Sequence, residues 1–318
     1  MKRTEETRHS RFRLFIQAAA AVFMNGYVTG FAKGRIFTGR TKSFCVPVLN
    51  CHSCPGALGS CPIGSLQNMI GRISNKAAFY VLGVLMLFGI ALGRLWCGFV
   101  CPFGLIQDLL HKIPSPKLTV PKKVDRPLRL MKYAVLAVFV ILMPLVTAGS
   151  LSPGAPYFCK LICPAGTLEA GIPLLIADPA LRRLAGLLFS WKAFILLTVI
   201  IGAVLIPRCF CRYLCPLGAI YGLFNRFSFY QISVRQSSCT GCKHCEQVCP
   251  MAVSLPTADE DSSAAAGKDM SRITSTECIR CGKCKAGCPS NAIVSEKFSY
   301  YNSGKETLSA HAGQSEES

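Results

Sequence analysis

Four long apolar stretches govern what this chain can fold into: residues 12–34, 77–96, 132–149 and 187–207. Crossing roughly 30 Å of hydrocarbon takes about 20 residues of helix, so each is long enough to span a bilayer. The third contains Pro144, which a membrane helix tolerates as a kink. The first carries Gln17, Asn25 and Gly26 and is the weakest; its basic lead also fits a secretory signal. Composition points the same way. The chain is 51% hydrophobic and only 16% charged, with mean hydropathy +0.39, whereas soluble domains carry about 25% charged residues. A soluble globular domain, a disordered chain and a short secreted disulfide scaffold are all excluded.

The net charge of +19 is read through the positive-inside rule. Lys2, Arg3, Arg8, Arg11 and Arg13 precede the first stretch. Lys112, Lys117, Lys122, Lys123, Arg126 and Arg129 separate the second from the third, and Arg208, Arg212, Arg226 and Arg235 follow the fourth. The loop between the third and fourth stretches has only Lys160, Arg182 and Arg183, while Arg40, Lys42, Arg72 and Lys76 in the first loop argue weakly the other way. The expected arrangement is a multi-pass protein of a prokaryotic cytoplasmic (inner) membrane, with the N-terminus and the C-terminal domain in the cytoplasm. The lipid bilayer is its first partner. No nucleic-acid readout motif is visible.

Composition changes near Ser233. Two cysteine runs follow, Cys239-x2-Cys242-x2-Cys245-x3-Cys249-Pro250 and Cys278-x2-Cys281-x2-Cys284-x3-Cys288-Pro289. In this spacing each run gives three thiolates to one [4Fe–4S] cluster and its fourth to the other. The expected ligands are Cys239, Cys242, Cys245 and Cys288 for one cluster, and Cys278, Cys281, Cys284 and Cys249 for the second. Zinc sites more often use two separated C-x2-C pairs. Lys243, Arg280, Lys283 and Lys285 lie among the ligands, either raising cluster potential and docking an acidic partner or as ordinary solvated charges. Residues 254–271 read as a flexible insert. The expected domains are 1–232 in the membrane, an α+β two-cluster ferredoxin domain at 233–298, and a disordered tail at 299–318.

The membrane part repeats itself. The pattern C-P-x-G-x-[LI]-[QEY] occurs at Cys61–Gln67, Cys101–Gln107, Cys163–Glu169 and Cys215–Tyr221. Three copies have a further cysteine four positions earlier: Cys97, Cys159 and Cys211; the first has Cys51-x2-Cys54 instead. The fold expected is an α-helical polytopic membrane protein of about four transmembrane helices, built as two parallel two-helix repeats. Facing repeats would gather Cys97, Cys101, Cys211 and Cys215 into an inner site, and Cys54, Cys61, Cys159 and Cys163 into an outer one. Four thiolates suit an iron–sulfur cluster, so one or two further clusters are expected there; buried structural cysteines are the alternative. Cys45, Cys51 and Cys209 are left over. Cys45 and Cys51 could pair, Cys51 could replace Cys54, and His52 is a lesser candidate ligand.

Trp96–Gly104 (W-C-G-x-x-C-P-x-G), Cys211–Gly222 (C-x3-C-P-x-G-A-x-Y-G) and the two ferredoxin runs resemble the NapH/MauN-type membrane ferredoxins. NosR-type and CcoG-type proteins share the C-x3-C-P turns. The resemblance covers nearly the whole chain and implies a cytoplasmic-membrane electron carrier between the quinone pool and a redox partner. It carries over to Cys97, Cys101, Cys211, Cys215 and the eight ferredoxin cysteines. Cys45, Cys51, Cys54, Cys61, Cys159 and Cys163 go beyond the NapH pattern and suggest a redox site on the far face.

The function expected is membrane-bound iron–sulfur electron transfer, in which the chain is an oxidoreductase component rather than a self-contained catalyst. Its partners would be redox proteins on the cytoplasmic and outer faces, with quinol as a further candidate. Asp108, His111 and Glu169 are the candidate proton acceptors for a quinol. The alternatives are a metal-reducing assembly factor for a respiratory enzyme and a redox-sensing regulator.

Overall fold

The computed structural model describes residues 2–70, 77–147, 155–183, 185–256 and 270–297. The middle of the 254–271 insert and the 299–318 tail lie outside them. In chain order the helices that position the cysteines are α1 (Lys2–Met24), α2 (Pro62–Ile70), α3 (Ala77–Leu92), α4 (Leu95–Phe99), α5 (Pro102–Leu110), α6 (Lys122–Thr147), α7 (Tyr157–Leu161), α8 (Pro164–Ala177), α9 (Leu187–Leu205), α10 (Cys209–Tyr213) and α11 (Pro216–Phe224). The C-terminal module contains β1 (Tyr230–Arg235), α12 (His244–Gln247), β2 (Met270–Arg272), α13 (Lys283–Gly287) and β3 (Ile293–Lys297).

Among the described residues two helices, α6 and α9, are long and apolar enough to cross a membrane; α3 and α8 are apolar but shorter. Most of the surface of α6 and α9 is open, with Leu130, Val146, Leu187, Phe194 and Leu197 exposed. In α1 the usual amphipathic order is inverted. Arg13 and Gln17 are buried while Phe12, Phe15 and Phe23 face outward. Apolar surface on this scale needs a covering.

Each short helix after a Cys-Pro begins in the same way. Cys101, Cys163 and Cys215 are extended N-cap residues and the following proline opens the helix, where its missing N–H costs nothing. The module is a three-stranded antiparallel sheet ordered β2-β1-β3. Its cysteine loops turn through left-handed residues at equivalent places, Gly241 and Lys243 in one run, Arg280 and Gly282 in the other, which curls each run round a common centre.

The module is docked, not tethered. Fully buried Arg94 donates to Thr276 O (2.7 Å), Glu277 Oε2 (3.2 Å) and Cys211 O (3.2 Å). Buried Lys132 of α6 pairs with the other oxygen of Glu277. Arg280 donates to Leu92 O, Asn225 O and Ser228 Oγ. Asn225 closes the seam by donating to Ser275 O and Cys278 O.

Candidate metal centres

Cys239, Cys242, Cys245 and Cys288 line one cavity in the module. The thiols of Cys278, Cys281, Cys284 and Cys249 lie within electrostatic range of one another. Each set therefore takes its fourth cysteine from the opposite run. Burial, partly offset by the Arg280 backbone N–H, pushes Cys278 up to about 11, so a metal entering here must displace protons.

In the membrane part, Cys97, Cys101, Cys211 and Cys215 form a third set whose thiols interact mutually. Here α5 meets α10: Gln107 Nε2 donates to Cys211 Sγ (3.1 Å) and its Oε1 accepts from Phe210 N–H (3.1 Å). The set is flanked by two buried cations. Arg94 donates to Cys211 O (3.2 Å) and Arg208 to Cys97 O (2.7 Å). Each arginine stands three residues before the first cysteine of its turn, so the two halves exchange equivalent bonds.

The fourth set surrounds a cavity of about 400 Å³, lined by Cys51, Cys61, Cys159 and Cys163 together with His52 and Lys192. Gln67 repeats the role of Gln107. Its Nε2 donates to Cys159 Sγ (3.4 Å) and its Oε1 accepts from Phe158 N–H (2.9 Å). Cys51 stands in this set where the sequence reading put Cys54. Cys54 is buried to one side with its thiol 3.6 Å from Asn25 Oδ1. The first copy lacks the regular C-x3-C-P spacing, and Glu169 fixes the register by accepting the Cys51 N–H at 2.7 Å. Cys45 and Cys51 are free thiols; Cys45 interacts with Cys61. Cys209 packs towards Gly202.

Gly218 N–H donates to Cys215 Sγ at 3.4 Å, and in the other three copies of C-P-x-G the glycine N–H lies near enough to the sulfur of Cys61, Cys101 or Cys163 to favour its charged form. Backbone N–H groups at a helix start favour a thiolate. Among the described residues no three His, Cys, Asp or Glu side chains converge tightly on one metal ion. Four thiols spread around a centre suit a cuboidal cluster, whereas zinc draws sulfur to about 2.3 Å.

The four sets follow one another. The position of a Cβ on Gly98 lies 2.5 Å from Ile279 O and 3.7 Å from Cys281 Cα, so the Cys97–Cys101 turn abuts the Cys278–Cys284 loop. Arg208 feels both Cys211 and Cys281. Fully buried Tyr221 feels Cys97 from one membrane set and Cys61 from the other, and its hydroxyl has no hydrogen-bond partner.

Of the candidate proton acceptors, Asp108 is held by Arg208 and Arg13. Burial opposes its charge, but these guanidinium groups hold its carboxyl down to about 2. It is an ion-pair partner, not a base. In the sequence Arg208 counts only towards membrane orientation, Gln67 and Gln107 only as the last residues of their repeats, and Arg94 not at all. The signal was present as R-x2-C-x3-C-P in copies two and four and as the glutamine closing copies one and two.

Comparison with known proteins identifies 4Fe-4S binding regions in the chain. A family model described as a 4Fe-4S binding domain matches residues 60–78, 77–121, 135–174 and 187–231, and one described as a 4Fe-4S dicluster domain matches 237–293. The chain is 30% identical over 246 residues to an uncharacterized protein of Methanocaldococcus jannaschii, covering 76% of this chain and 86% of that one. It is 28% identical over 238 residues to the methylamine utilization ferredoxin-type protein MauN of Paracoccus denitrificans (73% and 72% covered). Against the ferredoxin-type protein NapH of Escherichia coli it is 26% identical over 243 residues (73% of each). No solved structure matches the chain. Fold, cysteine sets and family models together define a ferredoxin-type [4Fe–4S] protein. Within that class, the chain belongs to the NapH/MauN-type family.

Proposed function

We propose that this protein conducts single electrons through a membrane part, residues 1–232, to or from a ferredoxin domain at 233–298. [4Fe–4S] clusters supply one-electron chemistry. Cys239, Cys242, Cys245 and Cys288 would hold one, and Cys278, Cys281, Cys284 and Cys249 a second. Cys97, Cys101, Cys211 and Cys215 would hold a third, and Cys51, Cys61, Cys159 and Cys163 a fourth. Four helices, α1, α3, α6 and α9, cross the bilayer in this reading, with the ferredoxin domain in the cytoplasm of a prokaryote. Redox proteins dock at either end.

The observation that carries the reading is the unbroken succession of the sets. Gly98 abuts the ferredoxin loop, and Tyr221 lies in range of both membrane sets. The residues supply the insulation and bias that such a path requires: buried cations at the Cys97 site, apolar helices around it, and amides bonded to the sulfurs of Cys159, Cys211 and Cys215. No bond-making step is asked of the chain.

The test is iron and acid-labile sulfide on the full chain purified without oxygen. About 16 of each per chain are expected for four cubane clusters. A value of about 8 would leave only the ferredoxin pair and overturn the membrane sites. The Cys163→Ser variant separates the sites, because it should lower iron without altering the Cys97 set.

A further inference from the structure

A third cavity, of about 210 Å³, lies where α1, the end of α5 and the ferredoxin module meet. Arg13, Asp108, His111, Lys112 and Lys283 line it, with Cys249 at one wall. None of these residues except Cys249 belongs to the cysteine sets.

Side-chain cations outnumber carboxylates among the residues lining this cavity. Arg13 is 3% exposed. Its Nη2 donates to Asp108 Oδ2 at 3.0 Å, while Nε and Nη1 are buried without a hydrogen-bond partner. Asp108 cannot answer them, because Arg208 already holds both its oxygens at 2.9 and 2.7 Å. Lys283 lies in range of Arg13 and Arg208, and Lys112 adds a further cation at the rim. His111 Nδ1 is also buried and unpartnered. A buried guanidinium with open N–H groups is costly unless an acceptor meets it.

The geometry points to a phosphate-binding site. A guanidinium fork beside ammonium groups suits a tetrahedral oxyanion with several oxygens. A carboxylate has only two oxygens, fewer than the fork, Lys112 and Lys283 together can engage. Two sources share this chemistry, a phospholipid headgroup and free phosphate. The surroundings favour the headgroup. Phe12 and Phe15 of α1 stand exposed on either side of Arg13 in sequence, and Pro207, just past the end of α9, forms part of the wall. Basic pockets between membrane helices take anionic headgroups in this way.

The phosphate would cross-link α1, α5 and the module, and its charge beside Cys249 would oppose the arrival of an electron there. That last consequence rests on the electron-transfer reading; binding itself does not.

The experiment uses the full chain in dodecyl maltoside, in phosphate-free buffer. Inorganic phosphate is added in one arm and phosphatidylglycerol in another, and bound ligand is counted by native mass spectrometry. Retention of phosphatidylglycerol alone identifies the headgroup; retention of inorganic phosphate as well identifies an open phosphate site. Arg13→Gln and Lys283→Gln should each weaken binding roughly tenfold, the scale of one charge-assisted hydrogen bond. Lys112→Gln, at the rim, gives a third variant if either fails to fold, as judged by helicity and iron content. No single-site binding in either arm, or unchanged binding in the variants that fold, overturns the proposal. Iron content unchanged by loss of the ligand separates its failure from that of the cluster reading.

Discussion

Arg208 shows how much of this protein's charge works inside it. By sequence it belongs to the basic segment that follows a membrane helix. In the structure it is fully buried, bonds Cys97 O and holds Asp108. Arg94 is its counterpart across the same cysteine set. Two guanidinium groups beside four thiolates favour extra negative charge, so they raise the reduction potential of whatever the cysteines hold. A unit charge about 7 Å away, at an effective dielectric of about 20, is worth roughly 2 kcal/mol, or on the order of 100 mV. Arg208→Gln should therefore lower the midpoint potential of the Cys97 site by several tens of mV, while Arg208→Lys restores most of it. A redox titration followed by electron paramagnetic resonance reads this. Equal potentials in both variants would show that Arg208 only packs. Asp108 stays ionised down to about 2. The stability it adds through Arg208 and Arg13 is thus complete above the ordinary carboxylate range and is lost only as pH falls through about 2. Measured at fixed iron content, Asp108→Asn should lose stability at neutral pH and little near pH 2.

The repeated element is the turn from Cys-Pro into a short helix, and its logic is local. Cysteine caps, proline opens, and the glycine N–H returns to the sulfur. The turn itself was legible in the sequence as four copies of one Cys-Pro pattern, but the cap and the bond to sulfur were not, because they depend on where each short helix starts. Cys51 was legible only as an alternative to Cys54 in the outer set. Its copy breaks the spacing, and only Glu169, 118 residues away, shows which cysteine faces the cavity. The turn also yields a sharp test at Gly166. Its backbone is ordinary helix, and a Cβ there would lie 3.7 Å from Cys51 Sγ and 3.9 Å from Cys163 Sγ. Gly166→Leu adds helix propensity worth up to about 1 kcal/mol yet fills the space between the sulfurs. The expected outcome is a folded protein that lacks iron only at the Cys163 site, about 12 iron per chain instead of about 16. Full iron content in a folded variant would mean that the cysteines there enclose no cluster.

At the scale of the whole molecule, the ferredoxin module and the membrane part share one buried seam. Nothing in the cysteine spacing announced this; Arg280 and Lys132 read as a loop charge and a helix end. Both are buried cations with partners across the seam, Arg280 on Asn225 O and Lys132 on Glu277. Glu277 is the single carboxylate shared by Arg94 and Lys132. Removing one partner of a buried ionic group costs roughly 3–5 kcal/mol, because the remaining charges stay behind unpaired. Glu277→Ala should open the seam while leaving each part folded. The module would keep its iron, exchange at the Asn225–Thr276 seam would rise in hydrogen–deuterium measurements, and reduction would stall between module and membrane part. Gly98→Ala asks the finer question. Its Cβ would stand 2.5 Å from Ile279 O, a backbone atom that cannot step aside alone, so the loop carrying Cys278 and Cys281 must move away from the Cys97–Cys101 turn. With all iron retained and the ion pairs intact, Gly98→Ala should slow electron passage across the seam while the potentials of both sides hold. Passage at the wild-type rate would mean that electrons enter the membrane part by another route.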